Sequence, residues 1–258
     1  MQASAAILAV WLFVGVMGRE PYHTPAKDGL QAKAAKSAAQ TQYMDCYDYQ
    51  PNTGDQLRAI DYIPQLSAYN FDNIISYCCV TGIWLLYQDE NFNAGNTNGA
   101  VIWRFGDNYC IQMPSGFDNQ ASSLRYIGAQ DDWHTDSLNL YLNDYFIGVE
   151  ESAYGDIAQV NYNDQAKSIV VTGCSGWTLY DGANYSGSCA CVWPASASQC
   201  TPGFYKTSAD LGNLAGKISS ARHGCYCGSS LKPNNHAGNV RGSQRGGNSQ
   251  FFEARDSA

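Results

Sequence analysis

Residues 84–95 read WLLYQDENFNAG. Trp84 to Tyr87 has the apolar and aromatic composition of a strand, the polar run Gln88 to Asn91 forces a tight excursion, and Gly95 supplies the positive φ with which the chain folds back. Tyr87 and Phe92, five positions apart, then pack together across a folded hairpin.

The same spacing occurs four times, which defines an architecture before any single residue is interpreted. An aromatic opens each unit and a small residue follows seven positions later: Tyr47 to Gly54, Tyr87 to Ala94 (Gly95 next), Tyr141 to Gly148 and Tyr180 to Gly187. A second aromatic lies five positions after the first at Phe92, Phe146 and Tyr185, whereas the first unit has Asn52 there. Farther along each unit comes a polar pair, two free positions and a small or polar residue: DNIIS (72–76), DNQAS (118–122), NDQAK (163–167) and GNLAG (212–216). The lead aromatics are separated by 40, 54 and 39 residues, so the long middle interval divides the units into two pairs, with 129–136 as the linker. A unit of about 40 residues built from short strands and glycine turns cannot bury its own apolar face, so two units pair as a sandwich. Helical periodicity is absent from 43–227.

These residues resemble the βγ-crystallin superfamily. YQDENFNAG with DNQASSL looks like that family's Greek-key motif, and the pattern returns as YLNDYFIG with NDQAKSI, YDGANYSG with GNLAGKI, and YDYQPNTG with DNIISYC. The resemblance implies an all-β chain with two βγ-crystallin-like domains, 43–128 and 137–227, each a sandwich of two four-stranded Greek-key motifs.

In calcium-binding members of that family, Asn/Asp-Asn/Asp-x-x-Ser/Thr-Ser forms a loop that offers oxygens to Ca²⁺, while the hairpin of the partner motif offers a carbonyl. A hard cation needs several oxygens, and carbonyls with a hydroxyl satisfy it at little net charge. DNQASS (118–123) matches in full. The resemblance implies the carbonyl of Gln120, the hydroxyl of Ser122, the carbonyl of Asp48 and the carboxylate of Asp118 as one ligand set. DNIISY (72–77) departs only at Tyr77. Its implied set is the carbonyls of Ile74 and Gln88, the hydroxyl of Ser76 and the nearby Asp72. In the second domain Lys167 takes the hydroxyl position and its ammonium repels a cation. Gly216, at the corresponding place in the fourth unit, has no side chain to offer. The expectation is up to two Ca²⁺ sites in the first domain and none of normal strength in the second; the competing reading is that Asx and Ser merely cap turns.

Ten cysteines are more than a reducing compartment rewards. Four lie in the first domain (46, 78, 79, 110) and six in the second (174, 189, 191, 200, 225, 227), which leaves 3 and 15 intradomain connectivities open. Disulfides are favoured over a zinc site around His223, Cys225, Cys227, Cys189 and Cys191, because Cys-x-Cys lacks the usual spacing of a structural zinc motif. Ala5 to Met17 is apolar or small throughout and too short to span a bilayer; with Val16 and Gly18 it reads as a signal peptide, residues 1–18. Residues 19–42 read as a linker or propeptide, and 228–258 as a Gly/Ser/Arg-rich disordered tail. Each of those two flanks carries +2, so the −8 of the whole chain places −12 on the segment between them. A field of that sign repels nucleic acid and attracts cations.

Glycine-rich phosphate loops, His-Glu-x-x-His and Gly-x-Ser-x-Gly are all absent from the sequence. The reading is therefore a secreted, extracellular, calcium-binding structural or matrix protein, not an enzyme, with no transmembrane span and with self-association or the extracellular matrix as its partners. A carbohydrate- or membrane-recognition module, as in a toxin or pore-forming complex, or an inhibitor on the same fold, is the alternative. Asn184-Tyr185-Ser186 is a glycosylation sequon, but Tyr185 belongs to the packed hairpin corner, which argues against occupancy.

Overall fold

The computed structural model describes residues 41–51 and 53–233. The expected signal peptide, nearly all of the linker or propeptide, and the tail beyond residue 233 lie outside these residues.

Five strands make the first half: β1 (Tyr43–Tyr47), β2 (Gln56–Ala59), β3 (Tyr77–Tyr87), β4 (Val101–Gln112) and β5 (Ser123–Tyr126). All pair antiparallel, in the order β2-β1-β3-β4 with β5 also on β3. The two long strands serve both layers of a sandwich. The start of β3, Tyr77–Thr81, pairs with β1, and its end, Trp84–Tyr87, pairs with β5. Between them the register with β4 shifts at Gly82, whose φ of 105° suits only glycine. A Cβ at that position would strike the side chain of Gln42. Met44, Cys46 and Val80 from one layer then meet Trp84, Leu86, Leu124 and Tyr126 from the other in one buried cluster.

The second half repeats this plan with shorter strands: β6 (Ser137–Tyr141), β7 (Glu150–Ala153), β8 (Ser168–Thr172), β9 (Trp177–Gly182), β10 (Ser186–Val192), β11 (Gly203–Tyr205) and β12 (Ser220–His223). One sheet runs β11-β8-β6-β7 and the other β10-β9-β12, the latter continued by a bridge from Ala221 to Ile157. A matching bridge joins Leu124 to Ile63 in the first half. Each sheet thus borrows an edge from the neighbouring unit. β11, which follows Tyr180, closes the sheet begun at Tyr141, so neither unit forms a layer by itself. The single α-helix among the described residues, Ser208–Leu211, is one turn held by a capping box between Thr207 and Asp210.

A third cluster lies between the halves. Ile83, Leu85, Tyr87, Phe92, Val101 and Trp103 meet Tyr141, Phe146, Ile147, Val170 and Phe204. Alternate residues of β3 therefore point into two different cores, which is why this strand reads as an unbroken apolar run. In the middle of the interface Arg125 and Glu150 are both 0% exposed, with Nε 3.4 Å from Oε2. The guanidinium donates to the carbonyls of Phe146 (2.8 Å) and Gly148 (2.9 Å) and lies over the rings of Tyr87, Phe92 and Tyr141. Arg125 comes from the first half and the two carbonyls from the second, so one side chain ties the halves together.

All ten cysteines are bonded: Cys46–Cys78, Cys79–Cys110, Cys174–Cys200, Cys189–Cys227 and Cys191–Cys225. Five disulfides fit an oxidising compartment. With both sulfurs of Cys225 and Cys227 engaged, no thiolate is left for zinc. The segment beyond them runs along β10, where Leu231 N–H donates to Cys191 O and Ser230 bridges Cys191. Order therefore extends past residue 228, where the tail was expected to begin. At the other end Gln42, assigned to the linker, is fully buried; its amide donates to Ile127 O and Ala129 O and accepts from Ile83 N–H.

His223 pairs with Asp136 instead of a metal, Nε2 to Oδ2 at 3.1 Å. That hydrogen bond raises the His223 pKa from its ordinary 6.5, against the opposing effect of burial. Burial works on Asp136 in the opposite direction, but hydrogen bonds from His223, Ser175 and Cys174 outweigh it and lower its pKa. A raised imidazole pKa contributes stability that is complete below the unfolded value and fades as pH rises through the folded one. The lowered carboxylate contributes above its unfolded value and fades on acidification. As pH rises from the ordinary imidazole value of 6.5 through the raised folded one, the protein should therefore lose stability that a His223→Gln variant does not lose, by a small amount because the pair is partly open to solvent. Parallel melting curves for the two proteins across that range would contradict this.

Candidate cation-binding loops

The hairpins form as the sequence predicts, except that in the second the positive φ falls on Asn91, Phe92 and Asn93 instead of Gly95. Tyr87 and Phe92 pack edge to face at 5.7 Å, Tyr141 and Phe146 at 5.5 Å, and Tyr180 and Tyr185 at 6.0 Å. Each corner aromatic sits at φ near 60°, a setting that costs a bulky residue energy and needs outside support. The support is a serine that the sequence reading overlooked. Ser123 accepts from Phe92 N–H and donates to Asp89 O; Ser168 does the same for Phe146 and Asn143, and Ser220 for Tyr185 and Gly182. This is the sixth loop position. The first unit has Tyr77 there, together with Asn52 in place of the corner aromatic.

The loops themselves share one backbone. Their second residue takes a left-handed conformation: Asn73 (φ 58°), Asn119 (54°), Asp164 (58°) and Gly216 (65°). Asn, Asp and Gly are the residues that tolerate it, which accounts for the polar pair in the motif. The loops dock in reciprocal pairs through this residue's N–H. Asn73 donates to Ala121 O and Asn119 to Ile75 O; in the second half Asp164 donates to Ile218 O and Gly216 to Ala166 O.

That register corrects the fourth loop, which runs Ala215-Gly216-Lys217-Ile218-Ser219-Ser220 instead of starting at Gly212. Residues 212–214 are a 3₁₀ turn. The fifth position, expected at Gly216, belongs to Ser219, which carries a hydroxyl.

In every unit the N–H of the fifth residue donates to the carbonyl of the lead tyrosine: Ser76 to Tyr47, Ser122 to Tyr87, Lys167 to Tyr141 and Ser219 to Tyr180, at 2.8–2.9 Å. Each fifth residue thus stands beside the hairpin of its own unit. The expectation grouped Ser122 with Asp48 and Ser76 with Gln88, and the structure exchanges them. Strand pairing explains the exchange, because Tyr47 faces Tyr77 while Tyr87 faces Ser123. One set brings Ser76 beside the Tyr47–Asp48 hairpin end and against Asp118-Asn119, with Ser76 Oγ donating to Asn119 Oδ1 at 3.1 Å. The other brings Ser122 beside the Tyr87–Gln88 hairpin end and against Asp72-Asn73. The side chain of Gln120 turns toward Gln88, accepting from its amide at 3.2 Å.

The charge left in these loops is informative. Asp72 Oδ1 and Asp118 Oδ1 are both buried and accept no hydrogen bond. Stranding a carboxylate oxygen away from water costs free energy, and here it happens at equivalent positions of paired loops. The main-chain oxygens of Ile74, Gln88 and Gln120 likewise accept no hydrogen bond among the described residues. Carboxylate, carbonyl and hydroxyl oxygens gathered this way fit a hard divalent ion better than a transition metal. No cluster of three or more His, Cys, Asp or Glu able to hold a metal occurs among the described residues, so such a site would depend on the carbonyls and hydroxyls.

In the second half one pair keeps this chemistry. Ser219 Oγ lies 3.1 Å from both Asp164 Oδ1 and Asp181 O. Across the pair, Lys167 occupies the fifth position as predicted.

No protein-family model matches the sequence, and neither does any curated protein. Among solved structures the chain is similar to geodin, a βγ-crystallin from Geodia cydonium, with a TM-score of 0.55 and 17% identity over 71% of this chain and 99% of that one. A βγ-crystallin from an archaeon matches 34% of this chain and 98% of its own at 26% identity, TM-score 0.30. One from Ciona intestinalis covers the same shares at 21% identity, TM-score 0.29. Paired hairpins with aromatic corners, exchanged edge strands and the geodin alignment together give this chain the βγ-crystallin fold.

Proposed function

We propose that the protein is a secreted, disulfide-stabilised calcium-binding protein of structural or extracellular-matrix type. The observation that carries this reading is the pair of buried, partnerless oxygens on Asp72 and Asp118, in two loops that dock on each other next to Ser122 and Ser76. Two sites in the first half use Asp48, Ser76, Asp118 and Gln120, and Gln88, Ser122, Asp72 and Ile74. A third uses Asp164, Asp181 and Ser219, so calcium is not confined to the first half. The cation supplies the positive charge these oxygens lack, and the chain supplies a rigid cradle in which two loops and a hairpin are bound together only in the folded state.

Binding to the native state alone stabilises by mass action, about 2.7 kcal/mol per site at a hundredfold excess over Kd. Calorimetric titration of the oxidised protein with Ca²⁺ should give saturable heat, and the melting temperature should rise in Ca²⁺ relative to chelator. Ser76→Arg, Ser122→Arg and Ser219→Arg should each remove one equivalent. Absence of heat and of any melting shift in the wild type would reduce the loops to capped turns and defeat the proposal.

A further inference from the structure

We infer that Asn184 is an N-glycosylation site, and that the fourth hairpin corner is where the folded protein has room for the sugar. Asn184-Tyr185-Ser186 is the only Asn-x-Ser/Thr in the sequence. Tyr185 is part of the packed corner, but Asn184 itself is exposed. Its backbone is fixed, with φ 54° and its N–H donating to Ala158 O, while its side-chain amide makes no hydrogen bond among the described residues. Ser186 is also exposed, its hydroxyl bonded only to Ala183 O at 2.7 Å.

Position within the fold separates this corner from its equivalents. Phe92 and Phe146 lie in the cluster between the halves, so a glycan on either of those corners would stand in the interface. Tyr185 is outside that cluster and is covered instead by Arg222, 5.1 Å above its ring. A bulky hydrophilic group at Asn184 displaces no packed side chain.

The inference rests on the secretory reading, since the donor is a polyprenyl-pyrophosphate-linked oligosaccharide met with its transferase on entry to the secretory pathway. In the transfer, Asn184 Nδ2 forms a bond to the anomeric carbon and the bond from that carbon to the pyrophosphate oxygen breaks. The pyrophosphate leaves with the electron pair and the amide gives up one proton.

The full chain, expressed with its own N-terminus in cultured eukaryotic secretory cells, should be recovered from the medium heavier than its polypeptide by one glycan. Peptide-N-glycosidase F should remove that mass and leave a deamidated residue at position 184. Asn184→Gln and Ser186→Ala should be secreted at polypeptide mass, and Ser186→Thr should keep the glycan. Wild-type protein in the medium at unmodified mass overturns the inference while leaving secretion intact. Retention inside the cell overturns the secretory reading instead, and the same chain behind a host leader then decides the glycan.

Discussion

Arg125→Met should lower the unfolding free energy by about 3–5 kcal/mol, the cost of leaving a buried charge without its partner. The guanidinium is fully buried, with Glu150 on one side, the carbonyls of Phe146 and Gly148 ahead, and three aromatic rings around it. Methionine fills much of the volume but satisfies none of those oxygens. Glu150 then keeps the donors from Tyr62, 3.2 Å away, and Ser152, neither of which carries a positive charge. Because Arg125 reaches across the interface, the variant should also separate the halves energetically, so that guanidinium denaturation shows two transitions. Arg125→Met combined with Glu150→Leu should recover a large part of the loss, since no charge is then stranded. A loss below about 1 kcal/mol for the single variant, the range of an exposed pair, would mean that the guanidinium does not hold the halves together.

The second large effect is non-additive. Cys191–Cys225 closes a separation of 34 residues, and Cys189–Cys227 closes one of 38 around it. Once the inner bridge is made, the outer one restricts only a few more residues of the unfolded chain, and the reverse holds nearly as well. In the chain-entropy account either bridge alone then supplies most of the constraint, so removing one costs about 2 kcal/mol and removing both about 6 kcal/mol. Alanine pairs at 189/227, at 191/225 and at all four positions, compared by urea denaturation, test this. If the quadruple variant loses no more than the two pairs added together, the bridges act independently and the account fails.

Much of this was legible in the sequence. Tyr87 and Phe92 announced a folded hairpin because spacing and turn chemistry are local, and the repeat of that spacing announced the sandwich. Disulfide partners were not legible, since strand register decides that Cys78 meets Cys46 while its neighbour Cys79 meets Cys110. Register also decided which hairpin each loop serine serves. The fourth loop was misplaced because GNLAG imitates the polar pair, whereas the feature that matters is a residue able to hold positive φ, which Gly216 does without any polar atom. The signal available in the sequence was Ser219-Ser220, which repeats the ending of DNQASS. Arg125 gave no signal: a basic residue in a strand reads as solvent-facing until the second half is laid over it.

The adjacent cysteines of β3 have a mechanical consequence. A chain pulled by its ends transmits tension along the shortest covalent route, which here enters at Cys46, crosses to Cys78, steps to Cys79 and crosses again to Cys110. The separations bypassed are 32 and 31 residues. At roughly 3.5 Å per residue, about 200 Å of potential extension is withheld from stretching. Residues 46–110 can be tilted or peeled from the neighbouring half by force, but they cannot be unravelled until the disulfides are reduced, so they behave under load as a knot of fixed length in an otherwise extensible thread.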